Sequence, residues 1–343
     1  MTIRLLPSLT WTLPLLAAVS AGAADSPWLA FAGTTGPGVG KHVVLLSGDE
    51  EYRSEEALPM LAKILSQRHG FRCTVLFAVD PDGTINPERT DSLPGAEALD
   101  SADAIVMLLR FRRWPDPIMQ RFAAACARGV PIIALRTSTH AFNFEPGTDK
   151  GYNTFGKRVL GEQWVDHWGR HKVEATRGVV EASAKDQPIL RGVDAVFGTT
   201  DVYEAYPPAD ATILLRGQVL TGMQPTDPPA TYVRKRHADG AEQPINEPMM
   251  PIAWTRQVAN AAGTTNRILC TTMGAATDLT NAGLRRLVVN GVYWGLDLEV
   301  PASANVALVD PYEPTMYGFS GHRRGMRPAD HDLGRPLLAP AGK

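Results

Sequence analysis

The feature that most constrains the fold is a regular alternation of short apolar runs and amphipathic segments between residues 41 and 136. The apolar runs predict strands at residues 42–46, 73–79, 104–109 and 131–135. Residues 54–68 and 116–128 repeat apolar side chains at helical spacing, with Ser54 as the expected N-cap of the first helix. Because such alternation implies right-handed crossovers, we predict an α/β fold with a doubly wound, mostly parallel sheet.

The second half of the chain is richer in predicted strands. Strand-like pieces occur at residues 172–176, 178–182, 212–215, 219–220, 250–254 and 267–272, and a final amphipathic helix at residues 281–294. The last strand and helix have the form needed to complete the sheet of the first half. We therefore expect one domain over residues 41–298 with a β-rich elaboration, followed by an irregular C-terminal tail over residues 299–343.

The N-terminal residues are typical of a secretory leader. Arg4 is followed by a mostly apolar stretch up to Val19, and Ala21-Gly22-Ala23 offers the small-residue pattern after which signal peptidase cleaves. We predict a signal peptide over residues 1–24 and a periplasmic or secreted protein, with an uncleaved anchor as the alternative. No later segment approaches the about 20 consecutive apolar residues of a membrane span, so we expect no stable span after cleavage.

Charge and cysteine content argue against two classes of site. The net charge of −2 leaves no basic excess, so we expect no nucleic-acid partner. The odd number of cysteines (Cys73, Cys126 and Cys270) prevents complete pairing within the chain, and we expect buried free thiols. The absence of a CxxC pair gives no support to a structural zinc site of the finger type.

Four polar loops follow predicted strands, at residues 47–53, 110–112, 136–142 and 271–278. Ligands of doubly wound sheets bind beyond the carboxyl ends of the strands, so we place the ligand site there. In the third loop the strand leads directly into Arg, Thr, Ser, Thr and His, which favours His140 as an acid/base or ligand. The alternative is a structural turn in which the hydroxyls cap a helix.

The loops supply the remaining candidates. Glu50 and Glu51 are candidate bases, and the alternative is a solvated acidic turn that complements a helix N-terminus. The candidate substrate-binding side chains are Arg53, Arg110, Arg136, Thr137, Trp164, Thr272, Met273 and Asp278. No GxSxG elbow and no GxxxxGK[ST] loop occurs, so serine-hydrolase and P-loop functions lack support.

A segment rich in histidine and tryptophan, residues 164–171, is the second dense group of candidates. His167 and His171 are four residues apart, which is ligand spacing in a helix, but Gly169 between them disfavours a helix. Together with His140 they suggest a three-histidine site for a divalent transition metal such as zinc, with one open position. The alternative is a polar, aromatic loop whose histidines bond to backbone. Trp164 suits stacking on a sugar ring.

Four segments resemble the ThuA-like (trehalose-utilisation) family, in particular its exported members from planctomycete-type bacteria. The segments are SGDEEYR at 47–53, LRTSTHAF at 135–142, VLGE at 159–162 and TTMGA at 271–275. The resemblance implies a flavodoxin/class I glutamine amidotransferase-like fold and a role in sugar catabolism, including oxidised (3-keto) glycosides. Where the amidotransferases carry a nucleophilic cysteine, this turn holds Thr137, Ser138 and Thr139, so cysteine-dependent glutamine hydrolysis is not expected. Typical members end the strand in Gly-Ile-His, whereas here His140 comes four residues after Arg136.

Two classes of function remain. The first is a periplasmic enzyme, a hydrolase or lyase, that acts on a small saccharide, a glycoside or an oxidised sugar. The second is a non-catalytic module that binds a carbohydrate or a partner on the same scaffold. A weaker third alternative is an interaction protein whose β-rich half forms a homo-oligomer interface.

Overall fold

The computed structural model describes residues 26–339, so the predicted leader over residues 1–24 and the last four residues of the tail lie outside the described residues. The three α-helices of this part are α1 (Ser54–His69), α2 (Asp116–Ala127) and α3 (Ala282–Gly295). Its strands are β1 (Trp28–Phe31), β2 (His42–Gly48), β3 (Arg72–Leu76), β4 (Ala104–Leu109), β5 (Ile132–Leu135), β6 (Asp166–His167), β7 (Thr176–Val180), β8 (Phe197–Gly198), β9 (Tyr203–Glu204), β10 (Thr212–Val219), β11 (Val233–Lys235), β12 (Glu242–Pro244), β13 (Met250–Ala259) and β14 (Thr265–Thr271).

One large mixed sheet organises the molecule. Its ten strands lie in the order β1-β3-β2-β4-β5-β14-β13-β10-β7-β8. The five strands from β3 to β14 pair in parallel, while β1, β13 and β7 run against the rest. A mixed α/β fold around a large, mostly parallel sheet is therefore confirmed. The β-rich half extends this same sheet, since β14 pairs with β5 and carries β13, β10 and β7 beyond it.

Helices cover both faces of the parallel strands, which explains why β2 is buried along its whole length. Helices α1 and α3 pack on one face through residues such as Leu61 and Val288. Helix α2 packs on the other face through Met119 and Phe122. Each of these helices sits at the chain position that the apolar spacing predicts, to within two residues at either end.

The start of α1 differs from the prediction. The helix begins at Ser54 itself, and the preceding Arg53 occupies the left-handed region with φ 59° and makes no side-chain cap. The Ser54 hydroxyl accepts instead from the backbone N–H of Asp49 at 3.0 Å. Ser54 therefore holds the loop after β2 against the helix, and its assignment as the N-cap is corrected.

Two adjacent glutamates in the first turn of α1 have opposite surroundings. The Glu56 carboxylate accepts from the backbone N–H of Thr315 at 2.7 Å, from the Thr315 hydroxyl at 2.8 Å and from Arg323 Nε at 2.9 Å. The Glu55 carboxyl is buried and neither oxygen has a partner among the described residues. Burial, with the nearby Glu56 charge, raises the pKa of Glu55 to about 8.

The C-terminal tail is irregular as far as Ala339, with one 3₁₀ turn at Pro328–His331. It nevertheless packs closely on the domain. Lys63 of α1 pairs with Asp310 at 2.6 Å, and the Tyr312 hydroxyl donates to the carbonyl of Ala276 at 3.0 Å. Further along the tail, Thr315 binds Glu56 in the first turn of α1, the end of the helix nearest the candidate site.

The three cysteines are unpaired, with Cys73 and Cys270 buried and Cys126 half-buried. Burial raises the pKa of the Cys126 thiol to about 12, so this thiol is unreactive at neutral pH. Within residues 26–339, none of the helices combines the length and apolar character that a membrane crossing requires.

Candidate active site

The candidate site is a cleft of about 150 Å³ beyond the carboxyl ends of β2, β4 and β5. The sheet order reverses between β2 and β4, because the chain passes from β2 outward to β3 and then returns to β4 on the other side. Such a reversal opens a crevice in which parallel sheets bind ligands. The lining residues are Glu51, Tyr52, Arg110, Phe111, His140, Trp164, His167, His171, Tyr203 and Phe319.

The loop after β5 forms a 3₁₀ turn, Arg136–His140, whose hydroxyls build the turn. Ser138 donates to the carbonyl of Met107 at 3.0 Å and accepts from the N–H of Leu109 at 3.2 Å, so the turn is fixed to β4. The Thr137 hydroxyl donates to the buried Asp49 carboxylate. Thr137 therefore braces the loop after β2, and it does not line the cleft.

His140 is the one residue of this turn that lines the cleft. Its ring lies between Phe111 and Trp164, with centroid distances of 5.1 and 5.6 Å, and Nδ1 is 3.2 Å from the Thr139 hydroxyl. Burial, and then the charges of Arg110 and Arg136, hold the pKa of His140 well below its usual range. His140 is therefore neutral at neutral pH and offers Nε2 for hydrogen bonding to a ligand.

A buried carboxylate that sequence reasoning missed, Asp201, joins the two other histidines. One oxygen, Oδ2, pairs with His167 Nδ1 at 2.7 Å, and Oδ1 pairs with His171 Nδ1 at 3.0 Å. Arg136 Nη2 also donates to Oδ1 at 2.9 Å. Burial alone raises the pKa of Asp201, but Arg136 and the two histidines outweigh it and hold the pKa well below the usual range.

His171 bridges two carboxylates, since its Nδ1 faces Asp201 and its Nε2 lies 3.2 Å from Glu51 Oε1. Hydrogen bonds to Asp201 and then to Glu51 raise the pKa of His171 to about 9. At neutral pH this ring carries a proton on both nitrogens. His167 lies beside it, with ring centroids 4.7 Å apart, and uses Nδ1 on Asp201. The charged imidazole of His171 and the imidazole of His167 therefore both bond to the Asp201 carboxylate.

The two histidines meet without a helix between them. His167 lies in β6, which pairs with β9, and the N–H groups of Trp168 and Gly169 both donate to the carbonyl of Val202. A Cβ on Gly169 would lie 3.3 Å from Cβ of Asp201, so glycine allows this close approach. His167 and His171 are therefore brought together by the pairing of β6 with β9 and not by a helix.

A metal ligand set exists, but it is not the predicted one. Among the described residues, ligand atoms of His167, His171 and Asp201 lie within 4.8 Å of one another, whereas His140 is not part of this group. The predicted set of His140, His167 and His171 is therefore corrected. Three protein ligands are the usual number at a catalytic zinc site. A metal there must displace one of the two ring protons of His171, which face Asp201 and Glu51.

Glu50 positions an arginine and is not a free base. Its carboxylate pairs with Arg110 and, at 2.9 Å, with the fully buried Arg112. The Arg110 guanidinium lines the cleft, with its central carbon 4.4 Å from the centroid of Phe111 and 5.0 Å from that of Phe319. We therefore remove Glu50 from the candidate bases and retain Glu51, which faces the cleft.

Five other candidates lie outside the cleft lining. Asp278 accepts from the N–H and the hydroxyl of Thr200, at 3.0 and 2.7 Å, and holds the loop after β14. Arg53 donates to the Thr315 hydroxyl at 3.1 Å. Arg136 is fully buried between the rings of Tyr52 and Tyr203 and supports the site from below. The buried Thr272 and Met273 lie in the same loop as Asp278. We assign none of these side chains to substrate contact.

Fold and cleft together define an α/β protein with a polar and aromatic ligand site at the carboxyl ends of its parallel strands. The sequence model of the ThuA family, described as trehalose utilisation, matches residues 42–295, so the chain belongs to the ThuA family.

Several solved structures are similar to the chain. A putative ThuA-like protein from Parabacteroides merdae ATCC 43184 is 14% identical with a TM-score of 0.48, over 75% of this chain and 90% of that one. Another from Bacteroides uniformis ATCC 8492 is 14% identical with a TM-score of 0.43, over 77% and 94%. The exo-β-1,4-mannosidase Op5Man5 from Opitutaceae bacterium strain TAV5 is 11% identical with a TM-score of 0.29, over 74% and 35%. No curated protein matches the chain.

Proposed function

We propose that this protein is an exported enzyme of carbohydrate catabolism, a hydrolase or lyase that acts on a sugar or an oxidised glycoside in the cleft. The observation that carries the proposal is the sharing of Asp201 by His167 and His171 at the wall of an aromatic-lined cleft. Membership of the ThuA family, described as trehalose utilisation, supports the choice of a saccharide as ligand.

The residues divide into a proton acceptor and a proton donor. When Asp201 holds Nδ1–H of His167, the lone pair of His167 lies on Nε2, as a general base requires. His171, whose pKa is raised to about 9, carries a proton on Nε2 that lies 3.2 Å from Glu51 Oε1, so it supplies a leaving oxygen by way of the cleft-lining Glu51 carboxyl. Glycoside hydrolysis, and elimination next to a carbonyl in an oxidised sugar, both need such a pair.

Other lining residues hold the substrate in this proposal. Arg110, fixed by Glu50, binds ligand oxygens, and Trp164 packs on the apolar face of a sugar ring. His140, neutral and buried, provides a hydrogen-bonding nitrogen. Glu51 keeps His171 charged through their 3.2 Å contact.

The test is a turnover screen with glycosides and their 3-oxidised forms, using the wild type, His140→Ala and an exposed control, His237→Gln. We expect the wild type and the control to convert the same substrate. His140→Ala should lose turnover while remaining folded, with a lower unfolding temperature because the buried ring is removed. Absence of turnover in the wild type with every substrate would contradict the proposed function. Wild-type turnover in His140→Ala would remove this residue from the mechanism.

The second candidate is a non-catalytic carbohydrate-binding module, which the exposed Trp164 at the cleft favours. Such a module binds a saccharide and leaves it unchanged, so product analysis separates the two functions.

The alternative to proton-based catalysis is a mechanism that uses a divalent transition metal, zinc foremost. The grouping of His167, His171 and Asp201 favours it. Bound there, the metal would polarise a substrate oxygen or activate water. Elemental analysis of protein purified without chelator, beside His171→Gln, tests this. Near-stoichiometric zinc that is lost in the variant supports a metal centre, and its absence from both supports the proton-based site.

The proposal also covers the location of the protein, the finer description of its fold and its oligomeric state. The sequence pattern of residues 1–24 supports periplasmic or secreted location, and detection of the native protein in the cytoplasmic fraction alone would contradict it. Helices on both faces of the parallel strands support the doubly wound, flavodoxin-like description. Homo-oligomerisation remains a proposal that a solution mass measurement decides.

A further inference from the structure

Two aromatic side chains in the described part of the chain are both large and well exposed, and both line the cleft. Trp164 is 37% exposed and Phe319 is 57% exposed. An aromatic ring that stays in water loses the stabilisation that burial would give, so exposed aromatic rings at a cleft commonly contact a ligand. Trp164 belongs to the loop that the sequence singles out. Phe319 comes from the C-terminal tail, beyond residues 42–295 that match the family.

The tail is tied to the site by a set of specific contacts. The N–H of Gly318 donates to the carbonyl of Glu51 at 2.8 Å. The Tyr317 hydroxyl donates to the carbonyl of Thr199 at 2.9 Å, and its ring lies 5.2 Å from that of Tyr52. Thr315 is bound through its N–H and its hydroxyl to Glu56. Phe319 therefore follows a fixed stretch of chain, and Arg110 lies against its ring.

The size of the cleft limits which part of a ligand Phe319 can contact. Its volume of about 150 Å³ is below the about 300–1,000 Å³ typical of sites that enclose a drug-sized ligand. The enclosed part suits a single sugar ring, held between the histidines and Trp164. A substrate larger than one ring must extend past the rim, where the exposed ring of Phe319 lies.

We propose that Phe319 is a specificity-determining residue that stacks on the second sugar ring, or the aglycone, of a glycoside whose first ring occupies the cleft. This inference rests on the proposed function, because it assumes a saccharide in the cleft. It narrows the substrate class from sugars in general to glycosides of at least two rings. It also makes the tail part of the binding site.

The test compares binding of glucose with binding of glucosyl disaccharides, trehalose among them, each with its 3-oxidised form, by calorimetry. The proteins are the wild type, Phe319→Ala, Phe319→Tyr and a control in the same segment, Met316→Ala. Met316 is 47% exposed and does not line the cleft. We expect Phe319→Ala to weaken disaccharide binding about tenfold, the size of one aromatic stacking contact, and to leave glucose binding unchanged. Phe319→Tyr should retain wild-type affinity, as should Met316→Ala.

Two results would overturn the inference. If Phe319→Ala weakens glucose and disaccharide binding by the same factor, or changes neither, the second-ring contact is absent while the proposed function stands. If the wild type binds none of these saccharides in either form, the proposed function fails and the inference fails with it. Since Phe319 is exposed, unfolding temperatures should agree among all four proteins.

Discussion

The buried carboxyl of Glu55 makes the stability of the protein depend on pH in a way that can be calculated. Neither oxygen has a hydrogen-bond partner among residues 26–339. Burial therefore raises the pKa from its model-compound value of 4.5 to about 8. Between these two values the folded state keeps the proton and the unfolded state loses it, so stability falls as pH rises through this window.

The size of the effect follows from the shift. Each pH unit between 4.5 and 8 removes about 1.4 kcal/mol of unfolding free energy from the wild type. Glu55→Gln replaces the acid by a neutral group of the same shape, so the variant lacks this dependence. The unfolding free energy of Glu55→Gln, measured relative to wild type, should therefore rise by about 3 kcal/mol when the pH is raised from 5.5 to 7.5.

Urea unfolding of the mature protein at these two pH values measures the difference directly, provided that unfolding is reversible. The neighbouring Glu56→Gln is the matched comparison, because it removes a carboxylate that has three donors. It should destabilise the protein at both pH values. If the unfolding free energies of Glu55→Gln and wild type change in parallel across this pH range, the Glu55 carboxyl does not keep its proton in the folded state.

Three further predictions concern the candidate site. Asp201→Asn breaks a fully buried ion pair with Arg136 and should cost about 3–5 kcal/mol of unfolding free energy. Asp210→Asn, at the edge of the half-exposed Asp210–Arg256 pair, should cost less than about 1 kcal/mol, and equal losses in the two variants would contradict the assignment. Because zinc must displace a proton from His171, its apparent affinity should rise about tenfold per pH unit between pH 6 and 8, and a pH-independent affinity in calorimetry would argue against ligation by this ring. Replacing Trp164 by alanine should weaken saccharide binding about tenfold in calorimetry, and unchanged affinity would contradict the stacking contact. Because most of this side chain is covered by neighbours such as His140 and Tyr203, the unfolding temperature should also fall.

The parallel part of the fold could be predicted because each element carries its own signal. The strands are continuous apolar runs that both faces of the sheet bury, and the helices repeat apolar residues at helical spacing. The rule that ligands bind at the carboxyl ends of parallel strands then placed the loops that contain Glu51, Arg110 and His140 together. These three residues do line one cleft.

What the sequence could not show depends on contacts between distant parts of the chain. Asp201 lies in a short connection between β8 and β9, and no local pattern distinguishes it from a surface aspartate. Phe319 comes from an irregular tail whose packing is set by buried hydrogen bonds such as that of Tyr317. Gly169 disfavoured a helix between His167 and His171, but the sequence did not show that pairing of β6 with β9 would bring the two rings together.

In the proposed mechanism His167, oriented by Asp201, removes a proton from a saccharide in the cleft. The most direct test is the kcat/KM of wild type and His167→Gln with the best substrate from the turnover screen. We expect His167→Gln to lower kcat/KM by at least about a hundredfold, as for loss of a general base. The variant should remain folded, with a lower unfolding temperature because the buried Asp201 carboxylate loses a partner. Equal kcat/KM values in the two proteins would show that His167 is not the base.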